Sequence, residues 1–118
     1  MMNIADFSLD CTGDVVAGDT ILWTDAVYSG STRRSRWRRA KPRFLGDRRV
    51  AARVLREERD EPTFSLIVLW CEGVDPLTVG DTIRRQHRSI YRIGTLRQPW
   101  DDEASRRGIS KRNATAVV

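Results

Sequence analysis

The sequence predicts a mainly β fold, a small antiparallel barrel of SH3-like form in preference to an OB-like one, with a short C-terminal helix. Three observations carry this. Apolar residues recur at period two or in short β-branched and aromatic runs. Glycine, proline and aspartate break those runs at short intervals. The entry to the second run through a Gly-Asp turn, and the long polar stretch after it, favour the SH3-like form. At 118 residues, the chain has material for one core and not for two.

Ala5, Phe7, Leu9 and Cys11 alternate with Asp6, Ser8 and Asp10, the pattern of a strand with one buried face. Thr12-Gly13-Asp14 turns the chain. Thr20 to Tyr28 is rich in β-branched and aromatic residues and forms the next strand. Ser29 to Asp47 is polar, basic and broken by Gly30, Pro42 and Gly46, so a long loop is expected over about 29–47. Val50, Ala52 and Val54 begin another strand, and the charged stretch Glu57 to Pro62 turns it. Phe64 to Cys71 is the most apolar segment and reads as a central strand covered on both faces.

Thr82–Gln86 and Ser89–Ile93 read as two short strands around a turn at His87-Arg88. Pro99 and the carboxylates Asp101, Asp102 and Glu103 open a helix of about two turns that Arg106, Arg107 and Gly108 close. The domain is therefore expected to span residues 1–108, with 109–118 a flexible tail. Gly18-Asp19-Thr20-Ile21 recurs as Gly80-Asp81-Thr82-Ile83. Because the flanking sequences diverge at once, the recurrence reads as one turn chemistry used twice and not as a duplicated repeat.

The net charge of +5 hides a segregation that matters more. Residues 1–30 contain five aspartates and no basic side chain, whereas residues 31–56 contain eleven basic side chains against Asp47 alone. Of 21 basic residues only Lys41 and Lys111 are lysine. Guanidinium groups fit phosphate bidentately and stack on bases, which a lysine point charge does not.

Within the basic stretch Arg33, Arg34, Arg36, Arg38, Arg39, Lys41 and Arg43 interleave with Trp37 and Phe44. Aromatic planes stack on unpaired bases while cations neutralise phosphates, a pairing suited to RNA or single-stranded DNA. Arg84, Arg85, Arg88 and Arg92, with His87 and Tyr91, supply a candidate second patch. An acidic protein surface is the competing partner, with the chain then a small interaction module or an inhibitor or accessory factor. Trp23, Trp70 and Trp100 sit among apolar neighbours and read as core or docking residues.

Several classes of chemistry find no support. His87 is the sole histidine, so two-histidine mechanisms are excluded, and no CxxC pair, GxxxxGK loop or GxSxG elbow occurs. The acidic clusters at 57–61 and 101–103 read as a hairpin tip and a helix start, so no enzyme activity, metal or cofactor is expected. Cys11 and Cys71 lie sixty residues apart and read as free core thiols. No window approaches the about 20 apolar residues of a spanning helix, and the N-terminus lacks the order of a secretory signal. Cytoplasmic residence with no membrane contact is the expectation.

Overall fold

The computed structural model describes residues 2–29 and 42–116. Six strands form one antiparallel sheet: β1 (Leu9–Asp10), β2 (Thr20–Tyr28), β3 (Phe44–Glu58), β4 (Thr63–Gly73), β5 (Thr82–Gln86) and β6 (Thr95–Arg97), in the order β1-β6-β2-β3-β4-β5. Helix α1 (His87–Tyr91) lies between β5 and β6, and α2 (Glu103–Ala116) ends the described chain. The mainly β antiparallel class with a C-terminal helix is thus as the sequence predicts. The described strands do not close into a barrel: β1 and β5 stand at opposite edges of an open sheet.

The long β2-β3-β4 meander is the spine. Ile21, Trp23 and Val27 alternate along β2, and Val50, Ala52 and Val54 along β3, facing Phe64, Leu66 and Val68. Ile90 of α1 completes this cluster, with Cys11 and Val15. A smaller cluster of Phe7, Leu22 and Ala51, with Ile4 and Trp70 against it, covers the other face of the sheet. Both faces of β4 are consequently packed, as its unbroken apolar run implies. Cys11 and Cys71 are free thiols, and burial followed by the nearby Asp19 charge pushes the Cys11 thiol up to about 12.

Four local expectations are corrected. The expected first strand shrinks to two residues, because the Asn3 side chain accepts a hydrogen bond from Ala5 N at 3.0 Å and caps a 3-10 turn over Ile4–Asp6. Phe7 and Cys11 then enter different clusters instead of sharing one face. Phe44–Asp47, expected in the loop, pair with Tyr28–Ala26 as the start of β3. The expected strand at 89–93 is instead the end of α1, since His87, Ile90 and Tyr91 reach the core only at helical spacing. The C-terminal helix begins at Glu103, where the Asp102 side chain accepts from Ala104 N, and runs through Gly108 to Ala116.

The two Gly-Asp turns are built alike. Gly18 N donates to Val54 O and Val54 N to Asp19 O, each at 2.8 Å; Gly80 N donates to Val68 O at 2.8 Å and Val68 N to Asp81 O at 2.9 Å. Both glycines hold a left-handed φ, +97° and +95°, which explains the shared residue. Their surroundings diverge. A Cβ on Gly18 would lie 2.9 Å from the Trp100 ring, whereas nothing lies within 4 Å of one on Gly80.

Asp19 is fully buried and Asp81 is exposed. The Asp19 oxygens accept from Val16 N (2.9 Å), Trp100 Nε1 (2.7 Å), Arg106 Nε (2.8 Å) and Arg106 Nη2 (2.9 Å). The sign of this pair sets the expected cost of breaking it. Asp19→Asn strands a buried guanidinium and is expected to cost about 3–5 kcal/mol, whereas Asp81→Asn should stay within about 0.5 kcal/mol. Urea unfolding of the two variants checks this, and equal losses would contradict the assignment.

Candidate nucleic-acid interface

The neck of the basic loop is fixed by the register of β2 on β3. Ser29 N donates to Arg43 O at 2.8 Å, and Arg43 N donates to Ser29 Oγ at 2.9 Å. Just inside this neck Tyr28 and Phe44 face each other edge-on, ring centroids 5.8 Å apart, each a little over half exposed. Arg33, Arg34, Arg36, Trp37, Arg38, Arg39 and Lys41 lie outside the described residues.

Three residues further along β2, Asp25 sits opposite Arg48. Its side chain is 7% exposed and receives Arg48 Nε at 2.9 Å, Arg85 Nε at 3.0 Å and Arg85 Nη2 at 3.2 Å. Arg85 comes from β5, which two intervening strands separate from β2 in the sheet. The contact shows how far the sheet curls. Burial alone would raise the Asp25 carboxyl, but the hydrogen bonds and charge of Arg85 and then Arg48 outweigh it and hold the group below the usual carboxylate range.

Asp25, Ala26, Tyr28, Arg48, Arg85, Ser89 and Arg92 enclose a cleft of about 250 Å³. Arg48 also donates to the Asp75 carbonyl, and Arg85 Nη1 to the Arg84 carbonyl. Arg92 meets Asp47 only loosely, at 3.4 Å, with both side chains 45% exposed. Two guanidinium groups thus share one interior carboxylate, and a third, paired with Asp47, lines the same cleft. The cleft opens beside Tyr28, at the root of the arginine-rich loop.

The other sequence-derived candidates lie elsewhere. Arg84 pairs with Glu61 at 2.8 Å on the exposed side of β5, and Arg88 Nε donates to Gln86 Oε1 at 2.8 Å. The Tyr91 hydroxyl accepts from Val15 N at 3.0 Å and packs in the core, where burial pushes its pKa up to about 12. Arg43 is exposed at the loop neck. Arg48 and Tyr28 are the cleft residues that sequence reasoning missed. The signal for Arg48 was its strand alternation with Val50 and Ala52, which carries it onto the face that also holds Asp25.

A further arginine, outside the expected patch, is consumed structurally. Arg97 is buried and grips both Glu103 oxygens at 2.8 Å, and those bonds, with one from Trp100 N, hold the Glu103 carboxyl down to about 2. Among the described residues no group of three His, Cys, Asp or Glu side chains is placed to hold a metal, and no helix is long and apolar enough to cross a membrane.

The Asp25 and Glu103 carboxyls are depressed by folding. Their stabilisation is therefore complete above ordinary values of 3.8 and 4.5 and is lost as pH falls through the folded values, about 2 for Glu103. Urea midpoints should fall between about pH 5 and pH 2 in the natural sequence and fall less in an Asp25→Asn, Glu103→Gln variant. Parallel acid limbs would refute it.

Residues 11–100 match the family described as Domain of unknown function (DUF7699), and the chain belongs to that family. It is also similar to the protein named "Zinc finger CCCH domain-containing protein 62" of Oryza sativa subsp. japonica, at 28% identity over 120 residues. That alignment covers 98% of this chain and 17% of the rice protein, so the chain spans about a sixth of its relative's length. No solved structure matches significantly.

Proposed function

We propose that this DUF7699 domain is a non-enzymatic nucleic-acid-binding module that contacts phosphates with arginine and unpaired bases with exposed aromatic rings. The observation that carries the reading is the convergence of Arg48, Arg85 and Arg92 on a cleft flanked by Tyr28, at the base of the loop that bears Arg33 to Lys41. Guanidinium forks neutralise phosphates, and the Tyr28–Phe44 pair offers an aromatic surface next to them. Because stacking needs splayed bases, RNA or single-stranded DNA is the favoured ligand over duplex. The curled sheet is read here as an SH3-like half-barrel with the cleft beside the Ser29–Arg43 neck.

The rice relative's name adds a circumstance in the same direction. Zinc fingers are common nucleic-acid-contacting modules, and a domain attached to one is well placed to extend such a contact. The alternative, docking on an acidic protein surface, uses the same guanidinium groups without needing the aromatic pair.

Binding to single-stranded RNA, single-stranded DNA and duplex is to be compared across a salt series. If the loop and cleft meet six to ten phosphates, affinity should fall about 10³–10⁵-fold between 50 and 200 mM salt. Replacing Arg33, Arg34, Arg36, Arg38 and Arg39 by alanine should flatten that slope by about one unit per lost contact, and Tyr28→Ala should cost about 1–3 kcal/mol. Binding unchanged in both variants would discard the reading in favour of a protein partner.

A further inference from the structure

We infer that a second cleft, between the start of β2 and the start of α2, is a base-selective pocket that takes an unpaired guanine of a bound single strand. The inference rests on the nucleic-acid reading above and gives it a sequence preference.

Thr20, Arg53, Gln98, Trp100, Asp101 and Asp102 are among the residues lining this cleft, which holds about 500 Å³. That lies within the roughly 300–1,000 Å³ of sites that enclose small molecules, so a nucleoside fits. Trp100 supplies its one aromatic wall. The ring is set in place before any ligand arrives. Trp100 Nε1 donates to Asp19 at 2.7 Å, Trp100 N donates to Glu103 at 2.7 Å, and the ring rests on the Gly18 turn, where an added Cβ would lie 2.9 Å from it. Stacking on such a platform suits every base and selects none.

Selection comes from the charges beside the ring. Asp102 is spent on α2, its oxygens accepting from Ala104 N at 3.0 Å and Ser105 Oγ at 2.7 Å. Arg53 and Asp101 are exposed, and neither makes an ion pair or a side-chain hydrogen bond among the described residues. One guanidinium and one carboxylate thus line the same cleft without neutralising each other. A simple anion is repelled by Asp101 and a simple cation by Arg53, whereas a neutral planar ligand with an acceptor edge and a donor edge satisfies both. Guanine is that ligand. Its O6 and N7 accept a guanidinium fork bidentately, and N1–H and N2–H on its Watson–Crick edge are adjacent donors for a carboxylate. Adenine sets an amino group beside N7 and N1, cytosine sets one beside N3, and uracil has a single N–H between two carbonyls, so none offers both pairs.

The pocket adjoins the Thr20 end of β2, and the Arg48–Arg85–Arg92 cleft adjoins its Tyr28 end. At about 3.3 Å per residue these ends are about 26 Å apart, a distance that a single strand of several nucleotides spans.

The test uses the full chain, octauridylate, and the same oligomer with one central guanosine, adenosine, cytidine or inosine, all at fixed salt, with free guanosine and an arginine-rich peptide as further probes. The guanosine oligomer should bind about tenfold tighter than the uridine, adenosine and cytidine forms, the scale of one bidentate base contact. Inosine, which lacks the 2-amino group, should fall between. Asp101→Asn and Arg53→Ala, both at exposed positions, should each abolish the preference while the melting temperature stays put. Equal binding of all the oligomers overturns this inference and leaves the nucleic-acid reading standing, whereas failure of every oligomer to bind overturns both. Retention of the preference in Asp101→Asn overturns the assignment of the pocket. Free guanosine binding as tightly as the oligomer removes the strand from the inference, and tighter binding of the peptide, lost in Asp101→Asn, reassigns the cleft to a protein side chain.

Discussion

The Asp19 carboxylate has no solvent exposure, yet it is fully provided for: four donors from Val16, Trp100 and Arg106 fill its acceptor positions. Through it the turn before β2 is tied to the segment after β6 and to α2, which lie more than eighty residues away in the chain. Breaking such a pair leaves a buried charge without compensation, which is costlier than never having had it. Arg97 and Glu103 brace the same junction, one strand over. The Asp19 bonds raise the pKa of Arg106 above its already high value, so the guanidinium stays charged at any ordinary pH.

A second interior carboxylate, Asp25, does for the opposite end of β2 what Asp19 does for its start. It draws Arg85 of the edge strand β5 towards β2 and so holds the curl of a sheet whose edges never pair with each other. The difference between the two sites lies in their surplus. Asp19 is met by one guanidinium and one indole and faces inward. Asp25 is met by two guanidinium groups with a third nearby, and the excess positive charge faces a cleft. The same chemistry locks the fold at one end of a strand and lines an open cleft at the other.

Much of the fold was legible in the sequence because it rests on local periodicity. The β2 strand appears at its expected bounds, the apolar run of β4 falls where expected, the turn expected at 57–62 is shortened to 59–62 because Glu57 and Glu58 pair with Phe64 and Thr63, and the Gly-Asp recurrence is the same turn twice. Elements that failed did so for identifiable reasons. A five-residue helix at 87–91 is too short to display a period, and the Asn3 cap overrode an alternating pattern that looked like strand. Of the site, sequence patterning picked out Arg85 and Arg92 but grouped with them Arg84, which pairs with Glu61, and Tyr91, which packs in the core. It passed over Arg48 and Tyr28, whose importance depends on what lies across the sheet.

By itself the sequence determined the β class, the segregation of arginine and the lack of a familiar catalytic motif, because each is a property of composition or of neighbours within a few residues. Only the tertiary structure decided which arginines are buried against carboxylates and which line an open cleft. Arg97 and Arg106 look no different from Arg85 and Arg92 in the chain. They differ in their partners: Arg97 is buried against Glu103 and Arg106 against Asp19, whereas Arg85 shares Asp25 with Arg48 and the half-exposed Arg92 keeps only a loose contact with Asp47.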